Sequence, residues 1–132
     1  MPRLSRFFIK SSLLYLLAGF TVGALLLMQK GWAFAPQIWL LLPFHIEIVI
    51  FGWILQLVMG TAFWMLPRFG ETRGNEKTVW LAFLLINGGI LLNLSAFFFH
   101  AALPALAGRV LEIGAVISFV VHAWPRVKPF AE

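Results

Sequence analysis

Six side chains stand out because their chemistry does not suit their neighbours: His45, Glu47, His100, Arg109, Glu112 and His122 all lie within or at the edge of long apolar runs. An ionisable group inside a bilayer costs several kcal/mol unless it is paired or faces a cavity, so each marks a candidate site. His45 stands 22 residues before Pro67 and His100 stands 23 residues after Lys77. At helical rise both reach roughly 33 to 35 Å above the loop that holds Pro67 and Lys77. Two imidazoles at one level could supply both axial ligands to a haem iron, or part of a copper or zinc site. The bland alternative is a pair of wet, hydrogen-bonded helix ends, and His100 stands at a turn. Arg109 and Glu112, three residues apart, suit an intrahelical ion pair; the sharper reading has Arg109 neutralise a haem propionate while Glu112 holds it in place. Glu47, two residues after His45, falls on another helix side and is expected near headgroups. His122, just before Trp124-Pro125-Arg126, is expected to snorkel to an interface, too low to share an iron with His45.

The elements that must position these residues follow from composition. Of 132 residues 61% are hydrophobic and 11% charged, which is far from soluble usage. A span needs about 20 mostly apolar residues; runs near 8–28, 38–66, 78–100 and 104–123 meet that need. The expected fold is all-α: one integral membrane domain, a four-helix bundle with antiparallel neighbours. Pro43 falls where the long second run could kink, and a tight turn is expected near Pro104. The start of the chain, with Arg3, Arg6 and Lys10 ahead of an apolar run, is read as a retained first helix and not as a cleaved signal.

The ten basic residues sort unevenly. Arg3, Arg6, Lys10, Arg68, Arg73, Lys77, Arg126 and Lys128 fall on one side, Lys30 and Arg109 on the other, which places both termini in the cytoplasm. Trp32 and Trp39 near one interface, with Trp64, Trp80 and Trp124 near the other, form two aromatic belts. Basic residues at the ends of apolar runs are membrane anchors, not a nucleic-acid stripe. The expected location is a bacterial inner membrane.

The faces below the two upper histidines are small and polar. From His45 the helical stripe carries Gly52, Gln56, Gly60 and Phe63; from His100 it carries Ala96, Asn93 and Gly89. Such faces point into a bundle and admit backbones or a flat ring. Gln56, Asn87 and Asn93 read as interhelical hydrogen bonders, and Gly19 with Gly23 forms a GxxxG pair. The chain has no cysteine, which removes disulfides, thiolate metal centres, iron–sulfur clusters and covalent haem attachment. No GxSxG, phosphate-binding glycine loop or HExxH occurs.

The segment Pro43-Phe44-His45-Ile46-Glu47-Ile48-Val49-Ile50-Phe51-Gly52-Trp53, continuing through Gln56, Gly60 and Trp64-Met65-Leu66-Pro67-Arg68, resembles the second transmembrane helix of haem-copper oxidase subunit I, in the cbb3-type oxidase and nitric oxide reductase branch. Arg6-Phe7-Phe8-Ile9-Lys10-Ser11-Ser12 with Tyr15, Gly19 and Gly23 resembles that family's first helix. The resemblance covers roughly the first half of the chain. It implies that His45 is an axial ligand of a low-spin haem b; by the level and spacing given above, His100 is the better intrachain partner and Arg109 the propionate candidate. The implied role is electron transfer, or service as an oxidase-like subunit. That family's oxygen- or NO-reducing centre needs a cluster of histidines, and this chain has three in all, so no complete centre is expected in one copy. The family subunit is built of three arcs of four helices, which suggests a trimer of this chain or its place in a larger respiratory complex. The competing reading is a cofactor-free accessory or assembly subunit of such a complex. A transporter half would show internal symmetry between the helix pairs, and none is visible.

Overall fold

A computed structural model of the chain describes residues 1–68 and 72–127. Lys128, assigned above to one membrane face, lies outside the described residues. Four helices account for nearly all the rest: α1 (Arg3–Gly31), α2 (Pro36–Met65), α3 (Glu76–Phe99) and α4 (Ala102–Ala123), the last closed by a 3-10 turn at Trp124–Arg126. All four are long and apolar enough to cross a membrane. Each helix begins before its hydrophobic run, α1 by five residues, because hydropathy marks lipid contact while the backbone ladder continues into polar flanks.

Sequential helices run antiparallel, as the order of their contacts shows. Going up α1, Phe8, Tyr15, Gly19 and Gly23 meet Gly60, Gly52, Val49 and His45 in turn, going back along α2. Between α3 and α4, Gly114 meets Leu85, Gly89 meets Glu112, and Gly108 meets Asn93. This hairpin is closed by glycine on glycine: a Cβ on Gly89 would stand 2.8 Å from the Gly108 carbonyl oxygen. No larger residue leaves room for that approach.

Proline and capping residues set the boundaries. Asn75 caps α3, its side chain accepting from the Lys77 backbone N–H at 3.1 Å. Pro104 falls inside the first turn of α4, where its missing N–H breaks no helical bond. The chain reverses just before it, at His100 and Ala101. Pro43 lies where α2 passes from a 3-10 turn (Pro36–Leu41) into α-helix (Leu42–Glu47). Immediately below, Ile48–Leu55 is π-helical before α geometry resumes at Gln56–Met65. An i→i+5 ladder spends more residues per turn, so the segment above it is rotated relative to the face that α spacing assigns.

The core is divided by level. Near the termini it is apolar, built from Leu4, Phe8, Met59, Phe63, Val79, Ala82 and Phe119. Midway, Gln56 and Asn87 exchange amide bonds at 3.3 and 3.4 Å, Ser11 donates to Gln56 and Tyr15 donates to Asn87, tying α1, α2 and α3. Interhelical hydrogen bonds of this kind contribute on the order of 1 kcal/mol each.

Candidate functional site

His45 lies against α1. Its Nδ1 is 3.0 Å from the Gly19 carbonyl oxygen. A carbonyl only accepts, so Nδ1 carries the proton and Nε2 presents its lone pair. The ring rests on Gly23, where a Cβ would come within 2.8 Å of Cε1. The GxxxG pair thus does two things: Gly19 offers a carbonyl, and Gly23 leaves the imidazole room. Among the described residues nothing hydrogen-bonds Nε2. A histidine held by one nitrogen through a backbone carbonyl, with the other free, is the usual arrangement of an oriented metal or haem ligand.

Glu47 is turned to the other side of α2, into the bundle. It is buried, with Oε2 2.7 Å from Nη1 of Arg109. The same Nη1 donates to Oε2 of Glu112 at 2.8 Å. Asn93 mirrors this arrangement, its Nδ2 lying 2.9 Å from Oε1 of Glu47 and 2.7 Å from Oε1 of Glu112. Two carboxylates therefore lie side by side, their Oε2 atoms bridged by a guanidinium and their Oε1 atoms by an amide, joining α2, α3 and α4. Arg109 also lies over the Phe51 ring at 5.3 Å. The expected Arg109–Glu112 pair is present; the expected headgroup position of Glu47 is not, because its carboxylate is buried in the bundle and paired with Arg109.

His100 caps α3 in the left-handed region, φ 50° and ψ 38°, with its backbone N–H on the Ala96 carbonyl. It is exposed and borders a cavity of about 400 Å³ whose wall also includes Phe44, Glu47, Asn93 and Arg109. His45 does not line that cavity. The two histidines therefore occupy opposite sides of α2.

His122 is buried instead of reaching water. Its Nε2 accepts from Nη1 of Arg126 at 3.1 Å, which occupies the lone pair a metal would need. Arg126 is fully buried: Nη2 donates to the carbonyls of Phe63 and Leu66, and Nε to that of Pro67, at 2.7 to 3.0 Å. It caps the end of α2, a role its position among terminal basic residues did not signal. No group of three His, Cys, Asp or Glu converges among the described residues.

Comparison with protein-family models, with characterised proteins and with solved structures gives no match.

Proposed function

We propose that this chain is a membrane haem b-binding protein, serving in electron transfer or as an oxidase-like subunit, with His45 as an axial ligand. The observation that carries this reading is the His45 imidazole: half-buried, fixed through Nδ1 to Gly19, and free at Nε2. Haem bound there would supply one-electron chemistry. The chain's own residues fit part of such a site. His45 supplies the ligand, while the glycine faces of α1 and α2 are filled by Val49, His45, Tyr15 and Phe8 and leave the ring to be seated outside the α1–α2 contact. Arg109, whose side chain is 52% exposed, has Nε and Nη2 uncommitted among the described residues, but it stands with Glu47 on the other side of α2 and would meet a propionate only of a haem held by the His45 of a neighbouring copy.

Because His100 stands on the far side of α2, its use as second ligand calls for a neighbouring copy. In a cyclic assembly such as a trimer, the α3–α4 edge of one copy would meet the α1–α2 edge of the next, at a shared level. The proposed setting is a bacterial inner membrane, with both termini cytoplasmic. The alternative, a cofactor-free accessory subunit of a respiratory complex, is favoured by the pairing of Arg109 with Glu47 and Glu112, which gives its charge partners within the chain.

The test is the absorption spectrum of protein purified after expression with ample haem. The Soret band is expected to collapse in His45→Ala and to survive in His122→Ala. His100→Gly, which keeps the left-handed backbone without strain, is expected to change the axial-ligand signature and leave the mass of the cross-linked oligomer unaltered. Colourless wild-type protein would sink the haem reading, and a monomeric mass after cross-linking would sink the assembly.

A further inference from the structure

We infer that the outer face of α1 is a binding site for one anionic phospholipid, with the phosphate held by Arg3, Arg6 and Lys10 and an acyl chain laid along Leu13, Leu17 and Phe20. The inference does not rest on the haem reading.

Positions 3, 6, 10, 13, 17 and 20 advance by alternating steps of three and four, so all six side chains fall on one side of α1. The opposite side is the one that packs, with Phe8, Ser12 and Gly19 buried. The stripe itself is exposed, Leu17 by 69% and Phe20 by 71%. It changes character once along its length. Arg3, Arg6 and Lys10 line, with Phe7, a cleft of about 380 Å³. On the same face above them, Leu13, Leu17 and Phe20 line, with Leu16, an apolar groove of about 410 Å³. A cationic cleft followed by a hydrocarbon groove on one helix face matches a phospholipid from head to tail.

The three cations need an anion from outside the helix. Among the described residues none of them has an ion pair or a side-chain hydrogen bond. Helix α1 has no acidic residue in its first turn and no side-chain cap, so its free N–H groups add positive potential at the same end. Helical side chains tilt toward the N-terminus, and the long Lys10 stem can carry its ammonium back toward Arg6 and Arg3. Three residues spread over about 10 Å of helix thus line one cleft.

The dimensions suit a lipid better than a free phosphate. From Lys10 to Phe20 the stripe rises about 15 Å, half of the roughly 30 Å hydrocarbon core and so the depth of one leaflet. Phe7 walls the cleft on the side of α3, its ring 5.4 Å from Trp80 and 6.2 Å from Phe83, with the aromatic groups at headgroup level. A free phosphate would leave the groove empty, and a zwitterionic lipid would bring a cation to three others.

The test is native mass spectrometry of the full chain in detergent micelles, titrated with phosphatidylglycerol, with phosphatidylcholine of the same acyl chains, and with glycerol 3-phosphate. One phosphatidylglycerol per chain is expected to bind about tenfold or more tightly than phosphatidylcholine, and glycerol 3-phosphate far more weakly than either. Arg3→Gln, Arg6→Gln and Lys10→Gln should each weaken phosphatidylglycerol binding about fivefold, and together they should abolish the preference. Lys30→Gln, at the other end of the helix, should leave it unchanged. Leu13→Ala combined with Leu17→Ala should weaken both lipids. All these side chains are exposed, and circular dichroism checks that each variant remains helical. Equal affinity of wild-type protein for the two lipids overturns the inference, as does a preference that survives the triple change in helical protein, or unweakened binding in the groove variant. Glycerol 3-phosphate bound as tightly as phosphatidylglycerol would make the occupant a soluble phosphate. A disulfide between copies of Leu17→Cys in phosphatidylglycerol vesicles would make it a second copy of this chain, which has no other cysteine. Either result equally overturns it.

Discussion

Arg126 is the clearest case of a residue whose role depends on what lies within reach. From sequence it is one of eight basic residues on a membrane face, and a solvated anchor is the natural reading. In the fold its guanidinium satisfies three carbonyls that end α2, together with the His122 ring nitrogen, and lies 5.3 Å over Phe63. Carbonyls at a helix end have no intrahelical partner, and leaving buried ones unmet costs about 1 to 3 kcal/mol each. Arg126→Ala is therefore expected to lower stability by about 3 kcal/mol, allowing for partial hydration at the helix end. Arg126→Lys should recover only part of this, because a compact ammonium cannot span the same acceptors. Thermal unfolding in detergent, followed by circular dichroism, measures both; a wild-type melting temperature in Arg126→Ala would return the residue to the anchors. Gln56, Asn87 and Asn93 were legible as interhelical bonders because an amide in hydrocarbon has few other uses. Arg126 was not, since sequence does not say which terminal cation turns inward.

At the scale of elements, the four helices and their order were readable from apolar run length alone, and Pro104 near the last turn was readable from its chemistry. What could not be read was the pitch within α2. Every facing argument from His45 downward assumed α spacing, and the lower stripe of Gly52, Gln56, Gly60 and Phe63 is indeed buried. The π-helical stretch Ile48–Leu55 includes Gly52 of that stripe and departs from the assumed spacing, and beyond it Glu47 faces Arg109 while His45 lies against α1. Strings of Ile, Val and Phe carry no periodic contrast from which a change of pitch could be inferred. The α3–α4 hairpin offers a sharper sequence test, because Gly88 and Gly89 are adjacent yet differ in surroundings. A Cβ on Gly89 would meet the Gly108 carbonyl at 2.8 Å, whereas one on Gly88 meets only Leu111 Cδ1 at 3.6 Å. Gly89→Ala is expected to lower the melting temperature, at an overpacking cost of about 1 to 3 kcal/mol. Gly88→Ala should be neutral or slightly stabilising. Equal effects would mean that the helices do not close on Gly89.

For the whole molecule, polarity is arranged by level: an apolar core near the termini, amide bonds midway, and ion pairs under the His100 turn. That gradient gives the two membrane faces different characters, one a packed end sealed by Arg126 and the other a cavity leading to a charged cluster. Which face is which depends on the uneven distribution of Lys and Arg, since anionic lipid and the insertion machinery retain positive loops in the cytoplasm. The absence of cysteine makes the assignment directly measurable. Gly31, with open space around its Cα, and Val127, 68% exposed, lie at opposite ends of the bundle and accept a thiol without repacking. In intact cells a membrane-impermeant maleimide should label Gly31→Cys, and should reach Val127→Cys only after permeabilisation. The reverse pattern would invert the topology and place the carboxylate cluster toward the cytoplasm. Labelling of both in intact cells would break the count of four spans.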